Sequence, residues 1–86
     1  MRASLLVLTL IAGTTGAMSD DCAEGWYQRN LIYERAGSCF RSKRAIRNFG
    51  NTDCRYDTTD RVPLSRQEQA AGAGLQAFEQ AHACPL

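Results

Sequence analysis

The chain has 86 residues, 44% of them apolar, with ten Lys+Arg against nine Asp+Glu and a formal charge of +1. That length excludes a multidomain architecture, a large two-layer enzyme and a polytopic membrane protein. The near-neutral balance argues against a dedicated nucleic-acid binder, which carries a strong basic excess.

The N-terminal residues read as a cleavable secretory signal. Arg2 supplies the positive start, residues 5–12 are apolar apart from Thr9, and small residues follow at Gly13, Gly16 and Ala17. Cleavage after Ala17 gives a leader of residues 1–17 and a mature chain of 18–86; a second site lies after Ser19. The apolar run is far shorter than the roughly 20 residues that span a bilayer, so no membrane span is expected after cleavage. Cys22 follows Ser19-Asp20-Asp21 rather than a small-residue lipobox, which argues against a lipoprotein. The mature chain is therefore expected in the periplasm or outside the cell.

Asp20 and Asp21 stand ahead of a helix predicted over residues 23–36, with Gly37 as its stop. On a helical wheel Trp26, Arg29, Asn30, Tyr33 and Gly37 share one side, Tyr27 and Leu31 another, and Ile32 a third. Apolar residues around most of the circumference predict a central helix wrapped by the others. A buried Arg29 or Asn30 needs hydrogen-bond partners, and the carbonyls of the polar 51–60 loop are the expected ones.

Ser42 caps a predicted short helix, Lys43 to Phe49, with Gly50 as its breaker. Residues 51–63 read as loop: Asn51, Asp53, Asp57, Thr58, Thr59 and Asp60 are turn formers, and Pro63 pushes Val62 to an extended conformation. The third helix opens on a capping box, Ser65-Arg66-Gln67-Glu68, and its expected apolar face is Ala71, Leu75, Phe78 and His82. Gly72 and Gly74 each cost this helix about 1 kcal/mol relative to Ala. The fold class is a small all-α, three-helix domain.

Beyond the leader, the large aliphatic residues before Cys84 are only Leu31, Ile32, Ile46, Val62, Leu64 and Leu75, with a handful of aromatics beside them. A core of that size supplies a few kcal/mol at best, so covalent staples are expected. The four cysteines, Cys22, Cys39, Cys54 and Cys84, form an even set in an exported chain and read as two disulfides. No pair has the spacing of a structural zinc site, and His82 is the single histidine, so no metal is expected. Three pairings are open. The nested one, Cys39–Cys54 inside Cys22–Cys84, is favoured because the inner pair flanks a short helix and the outer pair ties the first helix to the last. On the chain-entropy view the inner bridge contributes about 3 kcal/mol and the outer about 4.

The segment from Trp26 to Phe40 is the most distinctive. Arg29, Asn30, Ile32, Tyr33, Arg35, Gly37 and Phe40 stand in an order that resembles the YARHG domain of exported bacterial proteins. The name-giving run is present in part, as Tyr33-Glu34-Arg35-Ala36-Gly37, with Ala36 where the family usually has His. The likeness covers about residues 24–56. It implies an extracytoplasmic helical module of the bacterial cell envelope and assigns no activity.

Candidate chemistry is sparse. Arg41, Lys43, Arg44 and Arg47 form a basic cluster whose candidate targets are anionic lipid or polysaccharide, and the expected partner of the module is an envelope protein or an anionic polymer. Asp53, Asp57 and Asp60 lack the ligand spacing, central Gly and closing Glu of a calcium loop. No nucleophile elbow, metalloprotease helix or phosphate loop is present, and no cofactor is implied. The expected function is thus a non-catalytic, exported interaction module. A small secreted hydrolase or enzyme inhibitor is the alternative, and a pocket joining His82 to Asp53, Asp57 or Glu79 within hydrogen-bond reach would favour the hydrolase.

Overall fold

A computed structural model describes residues 20–85; the leader and both cleavage positions lie outside the described residues. The described residues form three helices, α1 (Asp20–Arg35), α2 (Lys43–Phe49) and α3 (Arg66–Ala81), with a 3-10 turn at Thr59–Arg61. Asp20 and Asp21 lie inside the first turn of α1, where carboxylates face the positive helix end. The Ser42 hydroxyl accepts from the Ala45 amide at 3.1 Å and starts α2. Gly50, at φ +72°, ends it by donating its N–H to the Ile46 carbonyl. The Ser65–Glu68 capping box is closed in both directions, at 2.8 and 3.0 Å.

Helices α1 and α3 pack antiparallel along one seam. Cys22 is bonded to Cys84, Gly25 lies against Phe78, and Arg29 meets Glu79. Positions 22, 25 and 29 are spaced three and four apart, which keeps them on one helix face. A Cβ built on Gly25 would sit 3.5 Å from the Phe78 ring, so α3 lies in close contact with the α1 backbone. The second bridge, Cys39–Cys54, closes the loop that carries α2.

Two packing expectations change. Helix α1 is flanked rather than wrapped: only Cys22 and Gly25 are buried on it, and Tyr27 stays 38% exposed. The inward face of α3 runs through Gly72, Leu75, Phe78 and Glu79, whereas Ala71 and His82 are exposed. Leu75 and Phe78 keep their expected places, and Glu79 lies in the seam bonded to Arg29. The buried apolar side chains are few, namely Cys22, Phe40, Ala45 and Val62, and no large side chain is fully buried among the described residues.

Candidate functional site

The run Tyr33-Glu34-Arg35-Ala36-Gly37 is the last turn and C-terminal cap of α1. Ser38 donates its N–H to the Tyr33 carbonyl at 3.0 Å and Gly37 donates to Glu34 at 3.1 Å, the paired bonds of a Schellman motif. That cap needs a left-handed residue after the helix, and Gly37 supplies it at φ +100°. The turn also positions the Gly37 carbonyl to accept from the amides of Arg55 (2.7 Å) and Tyr56 (3.1 Å), while Cys39 donates to the Tyr56 carbonyl at 2.7 Å. The result is a one-residue parallel bridge between Ser38 and Tyr56. Ser38, only 3% exposed, is satisfied by these partners and by its hydroxyl bond to the Cys39 carbonyl. Ala36 contributes only its backbone here, so the cap forms without a side chain at that position.

Beside this cap lies a cleft of about 580 Å³. Glu34, Arg35 and Gly37 line it from the end of α1, and Gly50, Asp53 and Arg55 from the loop after α2. Asp53 is itself left-handed, at φ +60°.

A second constellation joins α1 to α2. The Phe49 ring lies 5.1 Å from Tyr27, 5.3 Å from Phe40 and 6.1 Å from Trp26. The guanidinium carbon of Arg44 sits 3.8 Å above the Trp26 ring, a cation–π contact. These contacts fix the roll of α2, so Lys43, Ile46 and Arg47 face outward, with Ile46 41% exposed. Tyr27 therefore adjoins the basic segment, but Arg35 belongs to the cleft at the far end of α1, about 12 Å along the helix axis by its rise per residue.

The polar motif residues find partners other than those expected. Arg29 does not reach the 51–60 loop: its Nε donates to Glu79 Oε1 at 2.8 Å and its Nη2 to Oε2 at 3.4 Å, across the α1–α3 seam. Asn30 donates to the Trp26 carbonyl one turn back on its own helix, at 2.9 Å. The loop is instead held by Asn51, whose side chain accepts from the Phe40 N–H at 2.7 Å and donates to the Phe40 carbonyl at 3.0 Å. Asn51 reads in the sequence only as a turn former, since nothing local marks a side chain that pairs with a backbone eleven residues away.

His82 is exposed rather than packed in a core stripe. It caps α3, its Nδ1 lies 2.9 Å from the Phe78 carbonyl, and its ring centroid is 3.9 Å from that of Phe78. Glu79 is taken by Arg29, and among the described residues no carboxylate pairs with His82. Asp53, Asp57 and Asp60 do not converge, and no cluster of His, Cys, Asp and Glu among the described residues is disposed to hold a metal ion. The Thr58 hydroxyl, followed by the Asp60 backbone amide, holds the Asp60 carboxyl below its ordinary range.

No helix among the described residues is long and apolar enough to cross a membrane. The family model of the YARHG domain matches residues 4–80, well beyond the 24–56 stretch that carries the motif and through most of α3. No curated protein and no solved structure matches the chain. With both disulfides formed, as an oxidising compartment allows, and the motif serving as the cap that organises the loop, the chain belongs to the YARHG domain family, an extracellular-type domain.

Proposed function

We propose that the protein is exported through a cleaved leader, residues 1–17, and acts in the cell envelope as a non-catalytic binding module that docks on an anionic polymer through the outer face of α2. The observation that carries this reading is charge segregation in a near-neutral chain. Arg41, Lys43, Arg44 and Arg47 lie in a stretch, 36–52, that contains no Asp or Glu. Arg41, Lys43 and Arg47 are exposed, and none of the four enters an ion pair among the described residues. The helix that carries these cations is already held by the Phe49 cluster, so its backbone need not be ordered on binding. The oppositely charged surface that fits them is an acidic glycan or a phosphorylated envelope polymer.

The test is co-sedimentation of the exported protein with peptidoglycan and with lipopolysaccharide, comparing it with the Lys43→Glu/Arg47→Glu variant. We expect wild-type binding that weakens with salt and falls about tenfold or more in the variant, while melting stays within about 0.5 kcal/mol of wild type. Equal binding by both proteins, or no binding by either, overturns the docking face. N-terminal sequencing of the same preparation should begin at Met18 or Asp20; an intact Met1 overturns the leader.

A further inference from the structure

We infer that the cleft beside the α1 cap is a binding site for a small zwitterion, an amino acid or short peptide with both chain ends free. This site is separate from the α2 face and does not rest on it. Four charged side chains line the one cleft, Arg35 and Arg55 of one sign and Glu34 and Asp53 of the other. All four are exposed, and among the described residues the only ion pair is Arg29–Glu79, on another face of α1. No side-chain hydrogen bond involves any of the four, so both signs are free to meet a ligand.

The frame around them is rigid for a chain of this size. The Cys39–Cys54 bridge ties the loop to the residues after α1, and the Gly37 carbonyl holds the amides of Arg55 and Tyr56. Gly37 and Gly50 bring no side chain into the space. A Cβ on Gly37 would lie 3.5 Å from the Arg55 Nε, and one on Gly50 would meet nothing within 4 Å. The Arg55 Nε thus lies near the Gly37 backbone, beside the Tyr56 ring. Guanidinium forks bind a carboxylate through two parallel N–H donors, and a carboxylate pairs with an ammonium, so the lining matches both ends of one zwitterion. A cleft of about 580 Å³ accommodates a ligand of amino-acid or dipeptide size.

Titration calorimetry of the disulfide-intact protein with L-alanyl-L-alanine tests the site, with the N-acetylated dipeptide, the dipeptide amide and inorganic phosphate as comparison probes. We expect saturable binding of the free dipeptide, weakened about tenfold or more by removing its carboxylate charge and about threefold or more by removing its ammonium. The Arg35→Gln/Arg55→Gln variant should lose about tenfold or more in affinity, while Lys43→Glu/Arg47→Glu retains it. Absence of saturable dipeptide binding overturns the inference, and so does phosphate binding as tightly as the dipeptide. The probe series on the wild-type protein decides the matter even if the double arginine variant folds poorly.

Discussion

At the scale of single residues, the chain turns on one glycine. Gly37 combines a left-handed backbone, the two closing bonds of the α1 cap and a carbonyl that accepts from two loop amides. A Cβ there would also stand 3.3 Å from the Tyr56 ring, closer than ordinary contact. Gly37→Ala is therefore expected to destabilise the protein by about 1–3 kcal/mol, read as a lower midpoint in urea unfolding at an unchanged slope. A neutral result would mean that the cap does not hold the loop. The contrasting residue is Ala83, which takes the same cap position after α3 at φ +50° without being glycine. It is held by Cys84 donating to the Glu79 carbonyl at 2.9 Å, the turn that brings Cys84 back to Cys22. Arg29 and Glu79, 27% and 14% exposed, add a charge-assisted contact beside that bridge.

Among the elements, α3 is held more by its ends than by its own propensity. The capping box fixes its start and the Cys84 turn its finish, while Gly72 and Gly74 weaken the middle. A Cβ at either glycine would meet nothing within 4 Å, so neither is kept by close packing. Gly74→Ala is expected to raise stability by about 1 kcal/mol, measured as a higher urea midpoint; a loss of stability would reveal a contact at that face. Helix α2 is the opposite case. It is too short to persist alone, and its stability comes from the Ser42 cap, buried Ala45 and the Phe49 cluster.

For the molecule as a whole, the thin buried set and the two bridges set the stability. Loops with sequence separations of 15 and 62 are closed by Cys39–Cys54 and Cys22–Cys84. On the chain-entropy view these contribute about 3 and about 4 kcal/mol, comparable to the whole net stability of a small domain. Dithiothreitol is expected to abolish the cooperative thermal transition monitored by circular dichroism at the temperature where the oxidised protein is folded. An unchanged transition in the reduced protein would show that the apolar interior suffices.

Much of this architecture was legible from local signals. Ser42, Gly50 and the Ser65–Glu68 box act within one helical turn, so spacing alone locates α2 and the start of α3. The all-helical class and the family likeness rest on the same short-range order. Partner choice was not legible, because it depends on how the chain folds back. Arg29 chose Glu79, fifty residues on, rather than the 51–60 loop, and Ala71 and His82 lie exposed, off the α1–α3 seam. Asn51 clasped Phe40, and Glu34, Arg35, Asp53 and Arg55 came to line one cleft only because the Gly37 turn laid the loop beside the end of α1. Helix caps and turns are decided by neighbours along the backbone, whereas ion pairs and clefts are decided by residues that meet only after the chain has closed on itself.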